Sequence, residues 1–295
     1  MGYLFLLISL FAGATKGYCG KKTSGYTATI GNAVFANTIR MFLCIFIGFV
    51  LILATEDLRI LIPSPTLLLI SALSGISSAI FVVSWLISVK KSAYMMLDIF
   101  LMLGVLLPLT GSSIFFGESV KLTQWVGIGV LFVAVVIMCS YNNTIKAKLT
   151  IPSLLLLLLC GIANGVADFS QKLFTKCIPA GSAAAFNFYT YVFAALVLVI
   201  TYAVTRKRAP DGEKADIKKI FGYVLIMAIC LFANSYFKTL AAGYLSAVLL
   251  YPLSQGCALI LSAIMSAALF KERLTPKAII GMITAFAGLL IINLL

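Results

Sequence analysis

Long unbroken runs of apolar residues along the chain are separated by short polar segments. A run such as 65–89 shows no regular alternation of apolar and polar positions, which favours helices over strands. A helix needs about 20 apolar residues to cross the hydrocarbon core of a bilayer, and only helices and closed barrels satisfy their backbone there. The pattern therefore predicts ten membrane-spanning helices, over residues 2–20, 28–54, 65–89, 92–116, 121–141, 151–172, 181–204, 219–238, 244–269 and 276–295.

The second half of this pattern repeats the first. The turn FGESVKLTQWVG at 116–127 resembles FKERLTPKAIIG at 270–281, at an offset of 154 residues. The two glycines of GATKG at 13–17 match those of GIANG at 161–165 at a slightly shorter offset. A nearly constant offset through several spans indicates that a five-span unit was duplicated.

A unit of five spans crosses the membrane an odd number of times, so its two copies lie in opposite orientations. We therefore predict an all-α membrane protein of ten transmembrane helices, arranged as two inverted five-helix repeats around a central cavity. The first repeat covers residues 1–145 and the second covers 146–295, within one integral membrane domain. Inverted repeats are typical of secondary transporters, which bind their substrate near the membrane midplane between the halves.

The composition agrees with a chain that is surrounded by lipid. Of the 295 residues, 62% are hydrophobic and 11% are charged, and a soluble domain of this length could not bury so much apolar surface. The net charge of +13 does not indicate nucleic-acid binding, because Lys and Arg lie mainly in loops after odd-numbered spans, above all in 205–219. By the positive-inside rule, we expect these loops in the cytoplasm and both termini outside the cell.

The chain has few of the residues that enzymes and metal sites use. It contains no histidine, and its seven cysteines show no paired spacing and lie mostly inside predicted spans. The sequence also lacks the motifs G-x-S-x-G and H-E-x-x-H and the phosphate-binding P-loop. We therefore expect no enzymatic activity, no metal and no cofactor.

Several short motifs accompany the five-plus-five layout. Each F-x-E turn, at 116–118 and 270–272, is followed by a glycine nine residues after its Glu, and spans one and six contain G-x-x-x-G. Span two carries NTIRMF at 37–42, and span six ends in DFSQKLF at 168–174. Together these features make the chain resemble the drug/metabolite transporter superfamily, in its ten-helix EamA-like branch, over its whole length.

The resemblance implies ten helices around a central cavity and ATP-independent movement of amino acids, sugars, nucleotides or amines. We accordingly expect the chain in the plasma (bacterial inner) membrane. Many members of the branch keep both termini in the cytoplasm, opposite to the orientation that the charges predict. The small four-helix relatives carry an essential Glu in their first helix, but this chain has no acid at the matching positions 13–15. Their proton-for-cation exchange is therefore not expected here.

Charged residues inside the spans are the first candidates for a substrate or coupling site, because each costs about 2.5–3.5 kcal/mol on insertion scales. Lys16 and Arg40 are candidate anchors for a substrate carboxylate or phosphate. The alternatives are a lysine that snorkels to the interface and an arginine that clamps neighbouring helices. Asp98, with Tyr94 one turn before it, is a candidate for binding a substrate ammonium or a coupling proton, or for a fixed ion pair with either cation.

Asp168 and five uncharged residues complete the set of candidates. Asp168 lies in span six, where an intrahelical ion pair with Lys172 is the structural alternative. The aromatic residues of span seven could stack on a substrate cation or pack against neighbouring helices. In span nine, Pro252 frees a backbone carbonyl close to polar side chains. The uncharged candidates are Asn164, Asn187, Tyr189, Tyr251 and Gln255.

Glu118 and Glu272 stand at helix–helix turns, each just before a new span. A carboxylate in that position can cap the free N–H groups of the following helix and interact favourably with its dipole. We therefore expect a structural role for both residues.

These observations predict a secondary active transporter of small polar metabolites that works by alternating access. Amino acids or similar zwitterions are the favoured cargo, because the candidate residues carry both signs of charge, and export follows from the resemblance alone. The alternatives are uptake of a sugar or of an amine such as choline and, in a different class, a lipid-headgroup flippase or a non-transporting membrane scaffold. The expected partners are the small-molecule substrate and membrane lipids, without nucleic acid, for a chain that acts as a monomer or homodimer.

Overall fold

The computed structural model of the protein describes residues 1–24, 29–90, 100–139, 151–208, 217–270 and 276–294. These residues form ten α-helices and a short 3₁₀ turn, Leu58–Leu61, and none of them forms a strand. Residues 100–104 are also helical and lead into the fourth helix. The helices are α1 (Gly2–Ser24), α2 (Ile30–Thr55), α3 (Pro65–Lys90), α4 (Leu106–Phe116), α5 (Leu122–Cys139), α6 (Ile151–Cys177), α7 (Ala183–Arg208), α8 (Ile217–Tyr244), α9 (Ala247–Phe270) and α10 (Pro276–Leu294).

Most of these helices have the length and hydropathy of membrane spans. Six described helices, α1, α2, α3, α6, α7 and α8, are long and apolar enough to cross a bilayer. The other four, α4, α5, α9 and α10, contribute shorter apolar segments within the described residues. An all-helical membrane protein, as predicted, is therefore confirmed for the described part of the chain.

Two helices extend five or more residues beyond the spans that hydropathy predicts. Helix α6 continues to Cys177, past the predicted end at 172, and α8 continues to Tyr244, past the predicted end at 238. Both predicted spans end at a lysine, because a charged residue lowers the mean hydropathy around it. Lys172 is 3% exposed and the Lys238 side chain is 12% exposed, and each has an acidic partner, so the helices continue past them.

Small polar residues and one glycine define several helix ends. Thr29, Ser64 and Ser182 each accept, through the side-chain oxygen, the backbone N–H of the third residue after them, at 3.1–3.2 Å. They cap α2, α3 and α7 in this way. Helix α4 ends at Gly117, whose φ of 65° lies in the left-handed region that favours glycine.

The helices pack mainly across the two halves of the chain. Helix α1 lies along α8, α3 packs on α6 and α7, α2 packs on α7 and α8, and α5 packs on α10. Polar side chains such as those of Ser9 and Asn187 are fully buried among these helices, whereas Phe46 and Ile114 are 64% and 76% exposed. Polar side chains inside the bundle and large apolar ones on its surface are expected of a protein that lipid surrounds.

At one helix contact, glycine lets two backbones touch. Gly161 and Gly165 of α6 lie against the backbone carbonyl oxygens of Phe100 and Gly104, and a Cβ atom on either α6 glycine would overlap an oxygen. We call this contact between Gly161, Gly165 and residues 100–104 the glycine seam. Small residues at such positions are what allow membrane helices to approach closely.

Candidate functional site

A buried ion pair joins α6 to α8. The Nζ of Lys238 lies 2.6 Å from Oδ1 of Asp168, and their side chains are 12% and 10% exposed. The alternative of an intrahelical pair between Asp168 and Lys172 is wrong, because Lys172 contacts a different acid and Lys238 reaches Asp168 from α8. Lys238 is absent from the sequence candidates because hydropathy places it at the end of span eight.

Tyr251 connects this ion pair to α9. Its hydroxyl donates to the backbone carbonyl of Asp168 at 2.6 Å, and the tyrosine is 1% exposed. The Nζ of Lys238 lies 5.4 Å from the centre of the Tyr251 ring, within the range of a cation–π interaction. The structure thus brings two predicted site residues, Asp168 and Tyr251, into one cluster with Lys238.

Lys16 and Arg40 add two positive charges from α1 and α2. Both helices pack on α8, which carries Lys238, and the charges of Arg40 and Lys238 both act on Lys16. Arg40 is 9% exposed, and its Nε is buried without a hydrogen-bond partner among the described residues. Within the described residues, neither Lys16 nor Arg40 forms an ion pair with an acid. We call Lys16, Arg40, Asp168, Lys238 and Tyr251 the charged cluster.

Two uncharged candidates lie on helix faces that point towards this cluster. Asn164 is one turn before Asp168 on α6, and Gln255 is one turn after Tyr251 on α9, so each shares a face with a member of the cluster. Both side chains are half-buried. They could therefore contact a molecule held beside the charged cluster.

Asn187 and Tyr189, in contrast, are engaged in contacts that hold α7 in place. Asn187 is fully buried, donates to Thr239 Oγ1 at 3.3 Å and accepts a hydrogen bond from the Ser235 hydroxyl. The hydroxyl of Tyr189 donates to the backbone carbonyl of Leu61 at 2.7 Å, which ties α7 to the 3₁₀ turn. The structure does not bring either residue to the charged cluster through these contacts.

Two further candidates, Asp98 and Tyr94, fall in 91–99 and lie outside the described residues. The net charge of the charged cluster can still be counted from its described members. Its three cations and one carboxylate leave two positive charges, and Asp98 is the one other acid that the sequence places in a predicted span. Among the described residues, Asp168 is the one acid in an ion pair with a member of the cluster, so two of its positive charges have no acid partner there.

A second ion pair lies where the α4–α5 turn meets the junction of α8 and α9. Glu118 Oε1 lies 2.9 Å from the Nζ of Lys172, and Glu118 Oε2 accepts the backbone N–H of Ala247 at 2.8 Å. Burial by itself raises the pKa of Glu118, but the hydrogen bonds from Ala247 and Lys172 outweigh it, so the pKa is lowered. Glu118 therefore caps a helix as predicted, but that helix is α9 and not the expected α5.

Comparison with known proteins explains this arrangement of helices. Residues 151–294 match the model of the EamA-like transporter family, part of the drug/metabolite transporter superfamily. Residues 151–294 belong to the EamA-like transporter family. The matched segment begins at the first residue of α6 and ends at the last residue of α10, so it covers the second five described helices.

One solved structure supports the fold of this EamA-like protein over its full length. A crystal structure, described only as that of a protein, superposes with a TM-score of 0.78 over 99% of this chain and 96% of its own. The sequences are 14% identical, so the likeness concerns the fold alone. No curated protein matches the chain.

Membership of the family defines the class of protein. EamA-like proteins are membrane transporters of small molecules and not enzymes, and this chain is an integral membrane protein that would bind a small-molecule substrate. Among the described residues, no group of three or more His, Cys, Asp or Glu side chains is placed to hold a metal ion. The charged cluster is therefore the candidate site for the substrate of this EamA-like transporter.

Proposed function

We propose that this chain is a secondary active transporter of small polar metabolites that works by alternating access between two inverted repeats, 1–145 and 146–295. Amino acids and similar zwitterions are the proposed cargo, and export is the proposed direction. The proposed pathway runs past the charged cluster, with Asn164 and Gln255 at its wall. Asn187 and Tyr189 hold the surrounding helices.

The pairing of helices supports the two-fold relation between the repeats. If α1–α5 correspond in order to α6–α10, the packing of α1 on α8 corresponds to that of α6 on α3, and both contacts occur. The contacts of α2 with α8 and of α7 with α3 correspond in the same way. Asn37 of α2 and Asn187 of α7, which lie 150 residues apart in the sequence, also donate to the carbonyl four residues earlier, at 2.7 and 2.8 Å.

The observation that carries alternating access is a difference between two equivalent helix contacts. The glycine seam is closed, with α6 backbone against the 100–104 segment. In the other half, a Cβ atom on Gly17, which matches Gly165, would meet no atom of the described residues within 4 Å. Ala258, which matches Gly104, is exposed. We call the pair of positions Gly17 and Ala258 the open seam.

Two equivalent seams in unequal states are what a two-fold transporter needs. A pathway that is closed at one seam and open at the other reaches only one side of the membrane. If the halves exchange conformations, the open seam closes and the glycine seam opens, which gives access to the opposite side.

Disulfide trapping tests this exchange. In a full-length variant whose native cysteines are replaced, Gly17→Cys and Ala258→Cys should form a cross-link during turnover, because closure would bring their Cα atoms to about 4.4–6.8 Å. We expect the cross-link to block counterflow of labelled amino acids in proteoliposomes, and a reducing agent to restore it. The control pair is Gly17→Cys with Ile279→Cys on α10. Absence of the first cross-link, or full transport after it forms, would contradict alternating access at this seam.

A further inference from the structure

Two cations in the membrane helices, Lys16 and Arg40, form no ion pair with an acid among the described residues. Lys238 forms an ion pair with Asp168 at 2.6 Å, and Lys172 forms one with Glu118 at 2.9 Å. Lys16 and Arg40 have no such partner among the described residues, and Asp98 could neutralise one of them at most. Removal of a charge from water without a partner costs several kcal/mol, so a folded protein keeps such a pair where a ligand of opposite sign completes it.

The position of Arg40 indicates where an anionic ligand would bind. Arg40 is 9% exposed and lies ten residues into α2, far from either helix end. Its guanidinium is therefore held inside the membrane. Its Nε is buried without a hydrogen-bond partner among the described residues. A guanidinium donor that is out of water and unbonded is poised to donate to an acceptor that arrives later.

Lys16 completes a two-point site. It is half-buried on α1, and α1 and α2 both pack on α8, so that the charge of Arg40 acts on Lys16. Cys44, one turn after Arg40, is fully buried, and its thiol donates to the backbone carbonyl of Ala228 on α8 at 3.4 Å, which holds this part of α2 against α8. Repulsion between two fixed cations falls when one anion lies between them.

We propose that Lys16 and Arg40 form a binding site for the anionic group of the transported molecule, a carboxylate or a phosphate. The planar guanidinium offers a fork of N–H donors that matches two oxygens of either group, and the ammonium adds a compact charge from the opposite helix. Lys238 is the third cation of the charged cluster, and Asp168 already neutralises it. Amines and neutral sugars lack the group that this site requires.

The inference rests on the proposed transport function, because it takes the ligand to be the cargo. It adds a demand that the transport proposal does not contain, namely that the cargo carries at least one negative group. Amino acids meet this demand through their carboxylate. The amine alternative considered from the sequence does not.

Binding to the purified full-length protein in nanodiscs of neutral lipid tests the site. The probes are succinate and glutamate for carboxylates, inorganic phosphate and glycerol phosphate for phosphates, and glucose and choline as controls, all at constant chloride. We expect one of the two anion classes to raise the Tm and to bind measurably by calorimetry, with neither control doing so. The class that binds identifies the group. Equal shifts with the controls, or no shift with any anion, would overturn the proposal.

Variants of the two cations separate the site from general charge effects. Arg40→Lys and Lys16→Gln should each weaken binding of the effective anion by about tenfold or more, which corresponds to about 1.4 kcal/mol. The matched controls, Arg59→Gln and Lys277→Gln, remove exposed cations and should leave binding unchanged. Retained affinity in both Arg40→Lys and Lys16→Gln would overturn the proposal.

A third variant tests whether the charge is uncompensated. Arg40→Met should raise the Tm of the protein without ligand by about 2 °C or more, because it removes an unpaired buried charge. A lower Tm would show that the protein already neutralises Arg40 and would overturn the proposal. If Arg40→Met does not fold, Lys16→Gln decides alone, because Lys16 is half-exposed.

The binding and cross-linking experiments test the two proposals separately. If anions bind but the Gly17–Ala258 cross-link does not form, the transport proposal is refuted and the anion site remains. If the cross-link forms but no anion binds, the anion site alone is refuted.

Discussion

Lys238, Lys172 and Arg40 lie in membrane helices at similar degrees of burial, yet only the two lysines meet an acid among the described residues. The two ion pairs have structural consequences, because each joins elements that are far apart in the chain. Breaking a buried pair by removing one partner costs about 3–5 kcal/mol, so these residues are constrained by stability. Arg40 has no such constraint, which is why its charge points to a ligand.

The pKa of Glu118 predicts how this structural pair depends on pH. Burial raises that pKa, and the hydrogen bonds from Ala247 and Lys172 lower it below its ordinary value of 4.5. A group whose pKa is lowered on folding stabilises the protein above its unfolded pKa, and loses that effect as the pH falls through its folded pKa. Glu118→Gln should therefore lower the Tm at pH 7, because loss of the cap reduces the free energy of unfolding by about 0.5–2 kcal/mol. The difference from the wild type should shrink below pH 4.5.

Two lysine variants control this measurement. Lys172→Gln should be strongly destabilising, because that lysine is 3% exposed, whereas Lys176→Gln should have a small effect, because that side chain is 42% exposed. A difference between Glu118→Gln and the wild type that stays constant from pH 7 to pH 3 would contradict the role of the ionised carboxylate.

At the scale of helices, the Glu118–Lys172 pair also satisfies the ends of two consecutive elements. Lys172 donates to the carbonyls of Ala242 and Leu245 at the C-terminal end of α8, at 3.2 and 2.7 Å, and Glu118 accepts from the first residue of α9. A cation at a helix C-terminus and an anion at a helix N-terminus are the signs that the helix dipole favours. The short connection between α8 and α9 is therefore held in place by Lys172 of α6 and by Glu118 of the α4–α5 turn.

The glycine seam makes a prediction at the same scale. Gly165→Ala places a Cβ against the carbonyl oxygen of Gly104, so the helices must separate, and we expect a loss of about 1–3 kcal/mol in thermal or chemical unfolding. The matched control is Gly222→Ala on α8, where the added Cβ would meet no atom of the described residues within 4 Å. It should be neutral, or stabilising by up to about 1 kcal/mol, because alanine has the higher helix propensity. Equal effects of the two variants would contradict the close backbone contact.

For the whole molecule, the distribution of charge predicts an orientation in the membrane. Lys and Arg concentrate in loops after odd-numbered spans, and the positive-inside rule then places both termini outside the cell. An epitope tag after Leu295 should be accessible to antibody on intact cells. Protection of the tag until the membrane is permeabilised would reverse the orientation and agree with the cytoplasmic termini that the family resemblance implies.

The sequence by itself determined the number of helices, the membrane as solvent and the family, because each depends on the order of residues along the chain. The length of an apolar run predicts a span without knowledge of its neighbours. Hydropathy placed the ends of α6 and α8 five and six residues too early, because Lys172 and Lys238 interrupt the apolar run but pair with acids in the folded protein. The match of residues 151–294 agrees with the family that the repeated turns and glycines indicated.

Only the tertiary structure decided which charges meet. Spacing along one helix offered Lys172 as the partner of Asp168, because residues four apart share a face. A lysine side chain can instead reach an acid on a neighbouring helix, and the rotation and packing of α8 brought Lys238 to Asp168 and left Lys172 to Glu118. The same packing left Arg40 and Lys16 without acids among the described residues. Helix rotation depends on contacts between distant segments, so local sequence pattern contains no direct record of it.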